Sequence, residues 1–580
     1  MTVDLSVSTS SVPLSHRRRR LEAPELVFGV LLLLGAGIVL ARTRGLSFYE
    51  DDWDFVLDRR GMSPSVLLRP HGPHLSLVPI LIYKALLHTL GGGSYLPFRL
   101  LSVFDLLLVA GLLGLVARAW WGRWWSLAPV LLLVTLGQGG ASALFSFQCG
   151  YAIATAAGLV ALLCVVRGGR RDNILACAAL IVSLSSASQG AGFTVGAAVI
   201  LVTGRHPRRR AWVVVVPTIL YALWYLKYGH QFSETHLALW HTTPVYEFQS
   251  LAATLGTLLG VSRLSPAAVV EMTYGYPLAI AALAAAGYSY WRGWRPQPLF
   301  CGVAATLVVL WFAVAVSDTT EFFRPPNTPR YVETNALLVM VCLVTAIPRP
   351  RLPPWGSRVV VLILSVVAVA NTTQYQQSWV YMLYSGLFSR AELGALLIMR
   401  GVVRPSFKPA VTNRDPGGLS GGVDAASFFI AYDSFGIVSD SPAQILGQRE
   451  VVRDTVDGEL ARGEVSLTAA AATSTSTSTT VAKPPAVLGG TARTLRGCLL
   501  LRRATSVVGT PAGRYWLRAS GREPLTIAMG RFGSVDSVAL GAVPAGATAI
   551  VSIAHDHAPW VRWRMRLSGA GARVCAVSSG

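Results

Sequence analysis

Apolar stretches of the kind that enter membranes recur along roughly the first two-thirds of this sequence. An α-helix needs about 20 consecutive, mostly apolar residues to cross the hydrocarbon core of a bilayer. A chain with so many such stretches is predicted to be a polytopic membrane protein, mainly α-helical. We predict about eleven transmembrane helices, near residues 26–41, 96–117, 126–138, 148–166, 173–186, 191–204, 211–227, 275–291, 297–317, 332–347 and 358–371.

The composition agrees with a membrane protein and argues against a nucleic-acid partner. Of the 580 residues, 52% are hydrophobic and 14% are charged, whereas soluble domains usually carry about 25% charged residues. The formal net charge of +21 comes almost entirely from arginine, much of it in short clusters between apolar stretches. Because the sequence contains no basic helix and no aromatic-basic RNA-binding module, we expect no nucleic-acid partner.

These arginine clusters also predict the orientation of the chain, since Lys and Arg are enriched in cytoplasmic loops. The first apolar stretch follows Arg17–Arg20 and lacks a convincing cleavage site, so we interpret it as an uncleaved first helix after a cytoplasmic tail, residues 1–25. With an odd number of helices in 26–371, everything after residue 371 is expected outside the plasma membrane. The clusters that fall in every second connector are Arg118/Arg123, Arg167/Arg170/Arg171, Arg205/Arg208/Arg209/Arg210, Arg292/Arg295 and Arg349/Arg351/Arg358.

Residues 173–204 are a difficult part of this topology. Both flanks are basic, so the segment should return to the side from which it enters, yet it has only about thirty residues, fewer than two full spans of about 20 need. Two short helices joined by the Ser-Ala-Ser-Gln-Gly sequence at 186–190 satisfy both conditions. We expect neighbouring helices to shield them from lipid.

An acid-rich loop, Ser47–Arg60, follows the first predicted helix and begins a large outer loop, residues 47–95. Carboxylates at a membrane surface are costly unless water or a partner meets them. After the acids come His71 and His74, which precede an apolar run containing Lys84. As a spanning helix this run would reverse the topology of everything downstream, so we interpret it as an amphipathic helix at the outer interface.

Three motifs belong to this outer loop and the start of the next predicted span: the acidic pair Asp51-Asp52, the His-x-Pro-His element at 71–74 and the Tyr-x-x-x-Arg sequence at 95–99. Together they resemble the GT-C superfamily of membrane glycosyltransferases, which use polyprenyl-phosphate sugars and include protein mannosyltransferases and actinobacterial arabinosyl- and mannosyltransferases. Where the protein mannosyltransferases have Asp-Glu-x-x-Phe, this chain has Asp51-Asp52-Trp53-Asp54-Phe55. The resemblance implies that Asp51 is the catalytic aspartate.

The chemistry of such a transfer explains why acids and cations would gather at this depth. A base must accept the proton of the acceptor hydroxyl as the anomeric carbon is attacked, and cations or hydrogen-bond donors must stabilise the departing phosphate. We therefore predict Asp51 as the base and Asp52 as its helper, with a divalent cation (Mg²⁺, Mn²⁺ or Ca²⁺) as a possible cofactor that both would bind. The predicted donor-binding residues are His71, His74, Lys84, Arg99, Arg324, Arg330 and Tyr331, and the predicted sugar-stacking residues are Tyr49 and Trp53.

Each of these residues also has a purely structural interpretation. Loop acids are often solvated surface groups, and arginines near helix ends often anchor at the interface. Asp105 lies well inside a predicted span and is a functional candidate by position, but it could instead bind a neighbouring helix, so we leave it out of the site. Gln148 is favoured as a helix cap, and the loose His/Glu/His spacing at 230, 234 and 236 is a weak metal motif.

The region after residue 371 changes character. Ser441 and Gln444 form a capping-box pattern at the start of a predicted soluble helix, within an extracytoplasmic helical or irregular region, residues 372–468. The Ser/Thr/Ala/Pro-rich segment 469–486 is predicted to be a linker. Beyond it, residues 487–580 contain short alternating runs separated by Gly and Pro, which predict an all-β sandwich, resembling a jelly roll.

Cys498 and Cys575 bracket this β region near its two ends. In an oxidising compartment they would pair, and such a closure would add ~4 kcal/mol to the stability of a small domain. The domain resembles carbohydrate-binding modules of actinobacterial arabinosyltransferases. Trp516, Trp560 and Trp563 could then present a sugar platform, although burial in the core is favoured for most of them, and Asp556 could hold calcium.

The sequence thus predicts a plasma-membrane glycosyltransferase that acts at the outer face, with a polyprenyl-phosphate sugar as donor and an envelope glycan, lipid or protein as acceptor. Two other classes stay open. A transporter or flippase for lipid-linked glycans would require polar residues along the spans, where Asp105 is the conspicuous one. A non-catalytic protein that binds envelope glycans would use the β domain and keep the membrane part as a scaffold.

Overall fold

The computed structural model describes residues 22–49, 51–137, 144–204, 207–232, 235–265, 269–318, 324–409, 423–470, 485–490, 492–495, 498–501, 505–569 and 571–577. Within them a helical region precedes an all-β region. The α-helices are Ala23–Arg42, Pro64–Leu67, Leu77–Leu90, Leu96–Trp125, Leu127–Val134, Cys149–Arg167, Arg170–Ser186, Gly190–Thr203, Pro207–Arg210, Trp212–Lys227, Thr243–Leu258, Gly275–Trp291, Pro298–Ala315, Pro329–Ala346, Pro354–Ile398, Ala425–Phe435, Pro442–Leu446 and Glu450–Glu464.

Among the described residues, 5 helices are long and apolar enough to cross a membrane: Ala23–Arg42, Leu96–Trp125, Ser146–Arg167, Pro298–Ala315 and Pro354–Gln376. The exact count of eleven is therefore not confirmed. Several other predicted spans are helices shorter than a full crossing. The segment 173–204 consists of two helices, Arg170–Ser186 and Gly190–Thr203, joined at the predicted position.

The basic connectors collect at one end of the helical bundle. Arg118 pairs with Glu25 at 2.7 Å, which places the start of the first helix beside the end of Leu96–Trp125. That helix is kinked at Gly122, where φ is +79°, and a side chain there would meet the guanidinium of Arg349. The outer loop 47–95 lies at the opposite end.

Helix Thr243–Leu258 was not predicted, because the segment was interpreted as part of a polar outer loop. It is rich in hydroxyl and small residues rather than in large apolar ones. The hydroxyl of Thr254 donates to the carbonyl of Ser250 at 2.7 Å, and that of Thr257 donates to Ala253 at 2.8 Å. These bonds within the helix satisfy the polar groups and let the helix pack closely in the bundle.

The C-terminal region is an antiparallel sandwich of two sheets, as the alternating pattern predicted. One sheet has six strands in the order β1-β9-β6-β11-β4-β3, and the other has five in the order β2-β5-β10-β7-β8. The strands are β1 Val465–Ala469, β2 Ala486–Gly489, β3 Ala492–Leu495, β4 Cys498–Leu501, β5 Thr505–Thr510, β6 Gly513–Ala519, β7 Leu525–Gly530, β8 Val538–Val543, β9 Thr548–Ile553, β10 Trp563–Ser568 and β11 Ala572–Val577.

The predicted disulfide between Cys498 and Cys575 is confirmed. The two residues face each other on neighbouring strands β4 and β11, with Cα atoms 4.3 Å apart. The bond therefore links two strands that are 77 residues apart in sequence.

The boundary of the β region differs from the predicted one. Strand β1, which precedes the predicted linker, pairs with β9 along its whole length. The chain therefore enters the sandwich before residue 469, and most of the predicted linker, residues 471–484, lies outside the described residues. The predicted capping box is present: the Ser441 N–H donates to the Gln444 side chain at 2.8 Å, and the reciprocal bond is also formed.

The C-terminal region docks on the bundle at the same end as the outer loop. The backbone N–H of Gly92 donates to Phe435 at 2.6 Å, and that of Val438 donates back to Gly92 at 2.9 Å. The carboxylate of Asp457 in turn accepts backbone N–H groups of the sandwich, including Phe532 at 2.7 Å. The outer loop 47–95 and the C-terminal region are therefore packed against each other in one continuous region.

Candidate functional site

The acid-rich loop is organised around the buried carboxylate of Asp52. This side chain is 0% exposed and accepts hydrogen bonds from the Tyr49 backbone N–H at 3.0 Å, the Tyr95 hydroxyl at 3.0 Å and the Ser146 hydroxyl at 3.2 Å. The Tyr83 hydroxyl also donates to it. A carboxylate with this many donors fixes the course of the chain around it.

Asp52 is thus placed differently from the prediction, which made it a catalytic helper and metal ligand. Burial raises the pKa of Asp52 to about 6, although the hydrogen bond from Tyr83 opposes this shift. Its oxygens are engaged by tyrosine and serine hydroxyls, and the side chain does not line the cavity described next. Its neighbours Asp51 and Asp54 point instead into a cavity.

A cavity of about 260 Å³ opens at this end of the bundle. It combines carboxyl, imidazole and guanidinium groups from four separate parts of the chain, so the fold alone brings them together. The residues that carry these groups, with one phenol, are Asp51, Asp54, His71, His74, Tyr151, Arg324 and Arg330.

Asp51, Asp54 and His71 form a cluster on one wall. His71 Nδ1 lies 2.9 Å from Asp54 Oδ2, and His71 Nε2 lies 3.6 Å from Asp51 Oδ2. Burial would raise the pKa of Asp51, but the hydrogen bond and charge of His71 and the charge of Arg330 hold it below its usual value. Burial would likewise lower the pKa of His71, but the two carboxylates raise it to about 9. Asp51 is therefore ionised at neutral pH, and His71 carries a proton.

His74 is held neutral on an adjacent wall. A tight turn places the two histidines, since His71 and His74 exchange backbone hydrogen bonds of 3.0 Å across Gly72, whose φ is +52°. The Nδ1 atom of His74 lies 2.7 Å from the Ser188 hydroxyl, and Nε2 lies 3.0 Å from the Tyr151 hydroxyl. Burial and then the charge of His71 lower the pKa of His74 to about 3.

Arg324 and Arg330 supply the positive charge of the cavity. Arg330 begins helix Pro329–Ala346 and stacks on the ring of Tyr331, with its guanidinium carbon 5.1 Å from the ring centroid. Both arginines also line a second cavity of about 280 Å³, which Tyr331 shares. The two cavities therefore adjoin one another through the same pair of guanidinium groups.

Two predicted phosphate partners lie elsewhere. The ammonium of Lys84 donates to the carbonyls of Arg59 and Gly61, the latter at 2.6 Å, and lines a separate cavity. Arg99 donates to the Thr43 hydroxyl at 3.0 Å and to the carbonyl of Leu40 at the end of the first helix. Lys84 is thus engaged by loop carbonyls and Arg99 by the end of the first helix, and neither lines the 260 Å³ cavity.

The two predicted sugar-stacking rings are also placed differently. Tyr49 is 4% exposed and Trp53 is 2% exposed, and both pack in the core beneath the cavity. Trp53 lies against Phe48, with ring centroids 5.6 Å apart. Aromatic side chains next to loop acids can pack inward as readily as outward, so composition alone did not distinguish the two cases.

Sequence reasoning missed three residues of the site: Asp54 and Tyr151, which line the 260 Å³ cavity, and Ser188, which lines the 280 Å³ cavity. For Asp54 a signal was present, because residues three apart share one face of a helical turn and Asp51 and Asp54 have that spacing. Tyr151 begins a predicted span, and Ser188 lies in the short turn between two helices. Only the packing of these helices reveals their contact with His74.

The Asp51, Asp54 and His71 group fits a divalent cation. The potential ligand atoms of these three residues lie within 4.8 Å of one another. His71 Nδ1 is buried and makes no hydrogen bond of normal geometry with any described residue, despite its short distance to Asp54. Carboxylates suit Mg²⁺, Ca²⁺ and Mn²⁺, and an imidazole ligand shifts this preference away from Mg²⁺ and Ca²⁺.

The remaining sequence candidates are spread over the molecule. Gln148 precedes helix Cys149–Arg167, but its side chain does not form the expected cap. Residue 234 of the His/Glu/His motif lies outside the described residues. Asp556, a predicted calcium ligand, pairs with Arg531 instead. Of the predicted tryptophan platform, Trp563 is buried at 2% exposure and Trp560 is 67% exposed.

Comparison with known proteins finds similar solved structures, among them two structures of one protein. No known family model matches the chain, and no curated protein matches it. A structure of ArnT from Cupriavidus metallidurans bound to undecaprenyl phosphate is 13% identical, covers 76% of this chain and 92% of its own, and has a TM-score of 0.41. ArnT in the apo state gives 12% identity, 77% and 93% coverage, and a TM-score of 0.44. Because both TM-scores lie below 0.5, the proposals below rest on this chain's own residues.

Proposed function

We propose that this protein is an integral membrane glycosyltransferase that moves a sugar from a polyprenyl-phosphate donor to an envelope glycan, lipid or protein at the outer face of the plasma membrane. The observation that carries the proposal is the 260 Å³ cavity, in which the ionised carboxylate of Asp51 lies with the guanidinium groups of Arg324 and Arg330. A base and two fixed cations in one cavity meet the two needs of transfer from a phosphate.

In the proposed reaction, the acceptor hydroxyl oxygen forms a bond to the anomeric carbon of the donor sugar. The bond between that carbon and the phosphate oxygen breaks, and the phosphate leaves with the electron pair. Asp51 accepts the hydroxyl proton. Its pKa is below the usual range, so the carboxylate is ready as a base at neutral pH.

Arg324 and Arg330 are proposed to bind the departing phosphate. Arginine presents a planar fork of donors that matches phosphate oxygens and keeps its charge. Since the two arginines also line the adjoining 280 Å³ cavity, we assign that second cavity to the donor. His74 is neutral and hydrogen-bonded to Tyr151 and Ser188, and so positions the phenol at the wall between the two cavities.

A divalent cation is proposed to bind His71, in exchange for the proton of that imidazole, together with Asp54 and one carboxylate oxygen of Asp51. The second oxygen of Asp51 stays available to the acceptor, and the cation would add positive charge beside the phosphate. Dialysis of the purified protein against a chelator, followed by Mn²⁺, Mg²⁺ or Ca²⁺, tests this. We expect one bound ion per chain by mass spectrometry of the metal, with Mn²⁺ retained best, and loss of that ion in Asp54→Asn. Equal metal content in the wild type and Asp54→Asn would contradict the assignment.

The function is tested by comparing envelope glycans of a deletion strain with those of its parent. The deletion strain should lack one glycan, which the wild-type gene restores and Asp51→Asn does not, at equal protein level. Asp172→Asn is the matched control, since that acid begins helix Arg170–Ser186 at the other end of the bundle, and it should restore the glycan. Restoration by Asp51→Asn would favour the transporter or the glycan-binding protein.

A further inference from the structure

A small cavity with several polar side chains in its lining lies inside the helical bundle, next to the proposed active site. Its volume is about 20 Å³, which is room for about one water-sized sphere. Helices Leu96–Trp125, Cys149–Arg167 and Pro329–Ala346 surround it. Its polar lining includes Asp105, Gln148, Thr155, Arg330, Glu333 and Thr334.

Two oxygen atoms in this lining lack a donor. Asp105 is 7% exposed and Gln148 is 6% exposed, and neither Asp105 Oδ1 nor Gln148 Oε1 accepts a hydrogen bond from any described residue. A buried acceptor left unsatisfied costs about 1–3 kcal/mol. Both atoms are acceptors, so a ligand that satisfies them must present positive charge or a hydrogen-bond donor.

The charge of the lining selects the kind of ligand. Asp105 and Glu333 bring two carboxyl groups, and Arg330 brings one guanidinium. Burial favours the protonated form of a carboxyl group, so a cation that binds here must replace protons. With both carboxyl groups ionised the lining has a formal charge of minus one, which a single monovalent cation neutralises. A divalent ion would leave a buried positive charge, which is costly. Carboxylate, amide and hydroxyl oxygens are the ligands that hard cations prefer.

We propose that this cavity binds one Na⁺ ion, with Asp105, Gln148 and Glu333 as its ligands. The ion would lie next to the 260 Å³ cavity of the proposed active site, because Tyr151 and Arg330 line both cavities. Bound Na⁺ would thereby bias the position of Arg330, the proposed phosphate partner. The site itself does not depend on the proposed reaction.

Binding of ²²Na⁺ to the purified full-length protein in detergent tests the site without measuring transfer. We expect saturable binding of one ion per chain, displaced by unlabelled Na⁺ and not by K⁺ at the same concentration. Asp105→Asn should abolish the binding and Gln148→Leu should weaken it at least tenfold. Asp172→Asn is the control and should bind as the wild type does.

Any of three results of the binding experiment would overturn the proposal: absence of saturable binding to the wild type, equal displacement by K⁺, or unchanged binding in both Asp105→Asn and Gln148→Leu. The first result needs no variant, so it decides the question even where a substitution prevents folding. A thermal unfolding midpoint that responds to pH but is the same in NaCl and KCl would also overturn it, since protons alone would then occupy the carboxyl groups. None of these results bears on whether Asp51 supports glycosyl transfer.

Discussion

Asp51 and Asp52 are adjacent in the sequence, yet their carboxyl groups lie in different environments. Asp51 has a side chain that is 40% exposed and lies 3.6 Å from His71 Nε2 on the wall of the cavity. Asp52 is buried against Tyr83, Tyr95 and Ser146. Successive residues in a helical turn point in different directions, so an acidic pair provides one group for chemistry and another for structure.

This difference predicts different defects for the two acids. Asp52→Asn replaces an acceptor of several hydrogen bonds by an amide whose N–H groups meet hydroxyl donors, and we expect a loss of about 2 kcal/mol of folding stability. Asp51→Asn should leave stability within about 0.5 kcal/mol, as for a partly exposed group. The thermal unfolding midpoints of both purified variants and of the wild type test this prediction. Similar midpoints for Asp52→Asn and the wild type would contradict the structural role.

At this scale the sequence predicted residue types better than residue positions. It predicted that acids and arginines of distant loops would serve one site, and the cavity contains Asp51 and Arg330 together. It did not separate Arg330 from Lys84, because nothing in the local sequence shows that Lys84 bonds to the carbonyl of Gly61. The partners of a long cation depend on which loops fold back against it, and tertiary packing decides that.

At the scale of elements, regular patterns gave the most reliable predictions. Strands such as Leu525–Gly530 and Thr548–Ile553 alternate buried and less buried residues, which is the pattern the sequence shows. Helix Thr243–Leu258 was missed because its buried face consists mostly of small and hydroxyl residues. Such residues stabilise a helix contact only where a neighbouring helix approaches closely. The periodicity of large apolar side chains in a sequence therefore does not reveal a helix that is buried through small and hydroxyl residues.

The disulfide is predicted to stabilise the sandwich strongly. It closes a long segment of chain, Cys498 to Cys575, and loss of such a closure costs ~4 kcal/mol in the chain-entropy model. When Cys498 and Cys575 are both replaced by serine in the full chain, pulse proteolysis should cleave the β region at a clearly lower urea concentration than in the wild type. Cys301→Ser, which removes an unpaired cysteine, is the control. Equal urea midpoints for the double variant and the wild type would contradict this role.

The contact between helix Glu450–Glu464 and the sandwich is predicted to weaken with rising pH. Arg531 lies between Glu464 and Asp556, 3.1 Å from the carboxylate of Asp556 and 3.3 Å from that of Glu464. Burial and then the charge of Asp556 raise the pKa of Glu464 from 4.5 to about 9, against the opposing charge of Arg531, so Glu464 carries a proton at neutral pH. Because the folded-state pKa is the higher one, the stabilisation is complete below about pH 4.5 and is lost progressively up to about pH 9.

Glu464→Gln should remove this pH-dependent component. We expect the urea midpoint of the C-terminal region to fall between pH 5 and pH 9 in the wild type, and to fall less steeply in the variant. Pulse proteolysis across this pH range gives both slopes. Equal slopes would show that Glu464 is ionised in the folded protein, paired with Arg531.

At the scale of the whole molecule, the two ends of the bundle have different chemistry. The end with the basic connectors contains Arg118 and Arg349, whereas the end with the candidate cavity contains Asp51 and the docked C-terminal region. The positive-inside rule predicted this separation from loop composition alone. The number of membrane crossings was harder to predict from the sequence, because several helices are shorter than a full span and depend on neighbouring helices to shield them from lipid.

Sidedness is tested with single cysteines in a background without the unpaired ones. Met62, 61% exposed, lies in the outer loop, and Leu352, 44% exposed, lies in a basic connector. We expect Met62→Cys to react with an impermeant maleimide in intact cells, and Leu352→Cys to react only after the cells are opened. The reverse pattern would place the cavity on the cytoplasmic side, away from the proposed acceptors.

The most direct test of the central claim is the release of polyprenyl phosphate by the purified protein. Lipid-linked sugars extracted from the source membranes are supplied together with membranes of the deletion strain as acceptor, and free polyprenyl phosphate is quantified by mass spectrometry. The account predicts release by the wild type and at least a hundredfold slower release by Asp51→Asn. Equal release by the two proteins, or none above background by the wild type, would contradict it.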